Sequence, residues 1–447
     1  MLALAPRPPA RAAGREREVE VRATTNRRRI ALAAAVLLLA AVLPAGEPPA
    51  PVDDILLVDG HIDLPETLLD RFDNRLARVD LASPRPAGEP PRHFDLPRMR
   101  KGQLGAFFSI AYVPSRVTGP EAATAMLAQL DVTRRLVLRY PETLALATTA
   151  DEIEKIHASG RTAVLIGIEG GHTIANSLAV LRIAFAAGAR YLTLTHWGPT
   201  DWADAATSPP RHGGLTAFGR EVLKEMNRLG MMIDLSHVSD AVMRDALAVS
   251  VAPVIFSHSS ARALCNHPRN VPDEILAQVK ANRGIVMVNF APGFVSEAVR
   301  LAEAPLEEEW KRLEALYPND PAKVYEGIRA WRASHPIPPA TLAQVADHID
   351  HIRQVAGIDH VGIGSDFEGI GSTPVGLDDV SCYPALLSEL RRRGYSQDEI
   401  RKVAGANLLR VMREVEAVAA RLQRERQPSE AAFADFSATA AAATPVP

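Results

Sequence analysis

Seven residues of the types that bind metals or move protons stand at the ends of short apolar runs. They are His61 and Asp63 in "VDGHIDLPETLLD", Glu169 in "IGIEGGH", His196 in "LTLTHW", His237 in "IDLSHVS", His258 in "VIFSHSS" and Asp366 in "GIGSDFEG". On a strand, residues i and i+2 point to the same side, so His61 and Asp63 can present an imidazole and a carboxylate to one point, a chelate geometry. Histidines and carboxylates are the borderline and hard ligands that suit Zn²⁺ and similar divalent ions. The set is too large for one tetrahedral ion that keeps an open position. Two ions bridged by a carboxylate use it economically and hold between them a water whose pKa falls to about 7. Glu169 is the natural bridge, because a carboxylate offers two oxygens and a neutral imidazole a single free lone pair.

The elements that must position these residues read as alternating β-type runs and amphipathic helical stretches, the pattern of parallel βα units. Eight strands are expected at 55–60, 104–110, 163–168, 191–195, 231–236, 253–257, 285–290 and 361–365. Between them, "TAFGREVLKEMNRLG" sets Phe218, Val222, Met226 and Leu229 on one helical face and stops at Gly230. "TLAQVADHIDHIRQVAG" has Thr341 as N-cap and Gly357 as its stop. The expected fold is a (β/α)8 TIM barrel with a helical insertion within 291–360, before the last strand. Six of the eight strand ends carry a ligating residue, and in a barrel those ends converge on one mouth.

The chain has 447 residues, 47% hydrophobic and 23% charged, a globular composition. "NRRR" at 26–29 precedes the apolar "IALAAAVLLLAAVL" at 30–43 and the helix-breaking "PAGEPPAP". Fourteen apolar residues match a secretory h-region better than a membrane span. Residues 1–46 are therefore expected to be a signal peptide or an N-terminal anchor, and the protein to be exported, periplasmic or extracellular, with a possible membrane tether. Residues 1–45 carry eight Arg against three Glu, and without them the formal charge moves from −3 to −8. An acidic body argues against nucleic acid as a partner. Cys265 and Cys382 are the two cysteines, so no disulfide framework is possible. The barrel domain is expected over 47–426. The Ala-, Ser-, Thr- and Pro-rich segment 427–447 is expected to be disordered.

"LTLTHW", "GLTAFGREVLKEMNRLGMMIDLSHVS", "APVIFSHSSARALCNHPRNVPDE" and "HVGIGSDFEG" closely resemble the membrane dipeptidase (renal dipeptidase) family of binuclear zinc peptidases, among the amidohydrolase-like barrels. The resemblance runs from about residue 53 to about residue 415. It implies two Zn²⁺ per chain, one held by His61 and Asp63, the other by His237 and His258, with Glu169 bridging. It also implies substrate-binding roles for His196, Arg269 and Asp366. The implied chemistry is hydrolysis of dipeptides, including those with a C-terminal D-residue, with Asp366, His196 and Glu169 as the catalytic set. Arg269 would clamp the substrate carboxylate with its planar fork. His196 would stabilise the oxyanion, and Asp366 would carry the proton from nucleophile to leaving amine. Family members often form homodimers.

The chain departs from the family pattern at three places. Cys265 occupies the position of a bridged cysteine in vertebrate members, but its partner position is Glu297, so that disulfide should be absent. Ala291 stands where those members carry a tyrosine, and Trp197 where a small residue is usual. A hydrolase of another amide, lactam or lactone is the alternative function, and a non-catalytic metal-binding protein of the same fold a remoter one. His348 and His351, at i and i+3 in "DHIDHI", read as a helix packed behind the barrel. His172, His212 and His267 lie near the mouth without an assigned role. Ser257 and Ser259 beside His258 read as orienting a ligand.

Overall fold

The computed structural model describes residues 55–84, 92–318 and 320–436. Eight parallel strands close into a barrel: β1 Leu57–Ile62, β2 Leu104–Tyr112, β4 Thr162–Glu169, β5 Ala189–Thr193, β6 Met232–Asp234, β7 Ile255–Phe256, β8 Ile285–Val288 and β9 Val361–Ile363. The neighbours run β2-β1-β9-β8-β7-β6-β5-β4, and the β2–β4 pairing closes the ring. One further strand, β3 Leu144–Leu146, lies outside the sequence expectation and pairs with the start of β4, Leu144 opposite Thr162. Its three residues carry too little pattern to read as a strand.

β4 is buried along its whole length, as a parallel strand covered on both faces must be. That explains its continuous apolar run "AVLIGI". β6, β7 and β9 are shorter than their apolar runs suggest, because side chains capture the next backbone donors. Asp234 Oδ1 accepts from Ser236 N at 3.1 Å and Ser257 N at 2.8 Å. Asp59 Oδ1 accepts from His61 N at 2.9 Å and Ser365 N at 3.0 Å. The chain thus leaves the ladder where the ligating residues begin.

Helix Ala217–Leu229 starts at Thr216, whose hydroxyl accepts from Gly219 N, and ends at Gly230 with φ 86°. Helix Leu342–Val355 opens with a capping box of Thr341 and Gln344. The expected insertion is a pair of helices, Glu297–Leu316 and Pro321–Ser334, with a small core of Leu313, Val324 and Ile328. The C-terminal helix Asn407–Glu425 packs Leu408, Met412 and Val415 beneath the N-terminal ends of the strands, with Met232 and Ile285.

The segment from 427 to 436 departs from the expected disorder. Phe433 and Phe436 lie edge-on to Phe218 at 5.1 and 5.8 Å, and Ser429 Oγ donates to Glu221 at 2.7 Å. Two aromatic rings spaced three apart supply the apolar anchor that the surrounding alanines lack. Residues 437–447 and the expected signal or anchor segment 1–46 lie outside the described residues. Among the described residues no helix is long and apolar enough to cross a membrane.

Candidate active site

Each side chain expected to bind metal leaves a barrel strand at its C-terminal end, and all of them meet in one buried cluster. Glu169 Oε1 is its centre: His237 Nε2 lies at 3.0 Å, His258 Nε2 at 3.4 Å and His61 Nε2 at 3.6 Å. Asp63 Oδ2 is 3.4 Å from His61 Nε2, and His196 Nε2 is 3.9 Å from Glu169 Oε2. Ligand atoms fall into three groups that could hold a metal: His61, Glu169 and His258; Glu169, His196 and His237; His61, Asp63 and Asp366. Glu169 and His61 each belong to two of them. His196 and Asp366 fall into these groups beside the expected metal ligands.

The donor set fits a divalent metal. His61 Nε2, Asp63 Oδ1 and Glu169 Oε1 are buried without a hydrogen-bond partner, a costly arrangement for the polypeptide alone. The Nε2 atoms of His237 and His258 face each other at 3.0 Å. Asp63 sits at the N-cap position of helix Leu64–Phe72 but makes no capping bond with its side chain, which leaves the carboxylate for the cluster. His237 and Asp366 both have left-handed backbone, with φ of 68° and 66°. Such conformations persist at functional sites where the surroundings hold them.

Outer residues, of which the sequence singled out Ser257 alone, fix the orientation of the inner ones. Tyr191 OH lies 2.8 Å from His61 Nδ1, turning Nε2 inward. Ser257 Oγ donates to Asp234 Oδ2 at 2.6 Å and meets His258 Nδ1 at 2.8 Å, so a carboxylate–hydroxyl–imidazole relay sets His258. Asn289 Nδ2 donates to Asp366 Oδ2 at 2.9 Å. At Gly369 a Cβ would fall 2.3 Å from Asp63 Oδ2 and 2.6 Å from Asp366 Oδ1, so only glycine lets that loop pass. A lone aspartate inside an apolar strand, as in "MMIDLS", is the signal that could have found Asp234.

Burial dominates the electrostatics. It pushes the carboxyls of Asp63 and Glu169 well above the usual carboxylate range, Asp366 and Glu66 adding to the rise at Asp63. It holds His196, His237 and His258 well below the usual imidazole value, with Arg269 acting in the same direction. Glu66 is pushed up to about 7 by burial and then by Asp70 and Asp366.

Above the cluster is a cavity of about 150 Å³ lined by Glu66, Tyr112, Trp197, Arg269, Ala291, Phe294 and Ile370 together with the cluster residues. Arg269 is 1% exposed, and its nearest acceptors are Ser259 Oγ at 3.4 Å and His258 O at 3.3 Å. Its Nε has no partner, and no ion pair holds it among the described residues. Burial lowers its guanidinium to about 10. The Phe294 ring lies beneath the guanidinium at 5.5 Å, and the backbone N of Arg269 donates to His267 Nδ1 at 3.1 Å.

The remaining polar residues behave as packing groups. His348 Nδ1 accepts from Ala261 N and its Nε2 meets Val295 O, while His351 pairs with Asp273. His212 Nε2 meets Thr200 O at 3.0 Å. Cys265 and Cys382 are free thiols, and Cys265 lies beside Glu297. Two larger grooves, of about 270 and 750 Å³, border the C-terminal helix away from the cluster.

Residues 51–426 match the family described as membrane dipeptidase, peptidase family M19. Dipeptidase 3 of Rattus norvegicus is 42% identical over 370 residues, which are 82% of this chain and 66% of that protein. This chain therefore spans just under two thirds of the length of that relative. Dipeptidase verJ of Clonostachys rogersoniana is 39% identical over 83% of this chain and 87% of its own. Among solved structures, the probable dipeptidase PvdM of Pseudomonas aeruginosa superposes with a TM-score of 0.70 at 26% identity, covering 82% of this chain and 97% of that one. A Rhodobacter sphaeroides metallo peptidase liganded with a phosphinate mimic of the dipeptide L-Ala-D-Ala gives 0.66 at 27% identity, covering 81% and 100%. The family match takes in every side chain of the cluster, and the chain belongs to the membrane dipeptidase family.

Proposed function

We propose that this protein is a metal-dependent dipeptidase that holds two zinc ions per chain and cleaves the peptide bond of free dipeptides, including those ending in a D-residue. The observation that carries the reading is Arg269: a buried guanidinium without a carboxylate partner, facing a cavity of about 150 Å³ beside the ligand cluster. Burying an unpaired cation is costly unless a ligand completes it, and a peptide's terminal carboxylate matches its fork. The relative liganded with a mimic of L-Ala-D-Ala supports this choice of substrate and the acceptance of a D-residue.

In this proposal His61 and Asp63 would hold one ion, His237 and His258 the other, and Glu169 would serve both. Bound there, zinc supplies Lewis-acid polarisation of the carbonyl and an acidified water. The chain's own residues do the rest. Arg269 fixes the C-terminal end of the substrate. His196, kept neutral by burial, offers an N–H to the oxygen that gains charge in the transition state. Asp366, held by Asn289, accepts a proton from the nucleophile and returns it to the leaving amine. Asp63 and Asp366 lie on the side where the substrate's ammonium belongs. Tyr112, Trp197 and Phe294 are among the walls of the cavity, whose volume of about 150 Å³ suits a short peptide.

The test compares Ala-Ala with its C-terminal amide in the metal-loaded protein and in Arg269→Met. The wild type should favour the free carboxylate by about 100-fold, and the variant should lose that preference. Equal turnover of acid and amide by the wild type would discard the dipeptide reading. Export is proposed on residues 26–43 alone. N-terminal sequencing of the protein recovered outside the cytoplasm should begin near residue 47; recovery of the intact chain inside the cytoplasm would reject it.

A further inference from the structure

The walls of the cavity are divided by charge. Arg269 comes from the loop after β7, whereas Asp63 and Glu66 follow β1 and Asp366 follows β9, its neighbour in the ring. A zwitterion is thereby oriented with its carboxylate toward β7 and its amino-terminal residue toward β1 and β9. Asp63 and Asp366 belong to the ligand cluster. Glu66 does not. It stands in the first turn of helix Leu64–Phe72, where its backbone N bonds Asp63 O at 3.0 Å. Its carboxylate lines the cavity, half-buried, and makes no hydrogen bond or ion pair among the described residues. The charged neighbours that act on it are Asp70, Asp366 and His61, with no lysine or arginine among them.

Aromatic surface lines the same cavity as this carboxylate. Tyr112 lies close enough for Glu66 to act on its hydroxyl, and its ring meets His196 edge-on at 4.8 Å. Trp197, 48% exposed, borders the same imidazole at 5.6 Å. An alkyl stem can lie along such rings while a cationic head reaches an anion beyond them. A neutral side chain of the same length would leave the carboxylate unpaired and desolvated.

We infer that Glu66 is a specificity-determining residue that, with Tyr112 and Trp197, forms a subsite for a cationic side chain on the N-terminal residue of the substrate. This deepens the dipeptidase reading and rests on it. The enzyme should favour dipeptides that begin with lysine or arginine over isosteric neutral ones. The cationic head displaces water from Glu66 and pairs with it, without taking part in bond cleavage.

The experiment measures kcat/KM for Lys-Ala and for norleucyl-alanine on one metal-loaded preparation, in the wild type and in Glu66→Gln. Taking the ratio cancels any loss of folded or metallated protein. The wild-type ratio should be about tenfold in favour of Lys-Ala and should fall toward one in Glu66→Gln. Titrating each peptide as a competitor of the other in the wild type gives the same ratio should the variant not fold. A wild-type ratio of one or less overturns the inference, as does a ratio that Glu66→Gln leaves unchanged. Failure to cleave either peptide overturns the dipeptidase reading and this subsite with it; cleavage of norleucyl-alanine at least as fast as Lys-Ala overturns the subsite alone.

Discussion

Around Glu169 Oε1, three imidazole nitrogens lie within 3.0 to 3.6 Å, a concentration of lone pairs that a cation relieves. The protonation states follow from burial. In the metal-free protein Asp63 and Glu169, pushed up, retain protons at pH values where free carboxyls have lost them. His237 and His258, pushed down, are already neutral near pH 7. Metal uptake therefore expels protons from the carboxyls and hardly any from His237 and His258, and affinity should tighten as pH rises through the carboxyls' raised range. Calorimetric zinc titrations in two buffers of different ionisation enthalpy should show net proton release near pH 7; equal heats in both would contradict it. Tyr191→Phe should weaken zinc affinity about 10- to 100-fold by releasing His61, with the fold retained by circular dichroism. For Glu169→Ala, metal analysis should find less than two bound ions and assays no dipeptide cleavage; full activity would sink the binuclear model.

Strand ends and loops place these atoms, and their tolerances are narrow. Gly369 passes where a methyl would overlap both Asp63 and Asp366. Gly369→Ala should abolish metal binding and activity while leaving the melting transition cooperative, because the strain falls on a loop outside the barrel ladder. Gly167 has the complementary task, since a Cβ there would meet the Tyr191 ring at 2.2 Å. Runs such as "VIFSHSS" announce where strands end because apolar residues stop there. The length of the hydrogen-bonded part was hidden. Asp59 and Asp234 take donors from two strands at once, and such sharing depends on neighbours far apart in sequence.

At the scale of the whole molecule, the barrel pays the cost of crowding like groups at its mouth with a core sealed beneath by Asn407–Glu425. Metal that binds only the folded chain adds stability by mass action, about 4 kcal/mol at 1,000 times its Kd. For a domain of this size chelation should lower Tm by about 5 °C, and zinc should restore it. Truncation after Gln427 should also lower Tm, because Phe433 and Phe436 leave Phe218 uncovered. Loss of both ring contacts is expected to cost about 2 to 3 kcal/mol. An unchanged Tm would restore the reading of this segment as a passive tail.

The sequence by itself determined the parts that depend on local pattern. Alternating apolar runs and capped helices specified a (β/α)8 barrel, and histidines and carboxylates at the strand ends specified a metal site, because barrel closure brings those ends together whatever the loops do. Tertiary structure alone decided how the charges face one another. Arg269 is unpaired, Glu66 lies in the cavity wall, Asp234 relays through Ser257 to His258, and Phe433 returns to Phe218. Each of these joins residues tens or hundreds of positions apart. The energy of a buried charge depends on its distances to such partners and on the water it has lost, quantities that no local window of sequence contains.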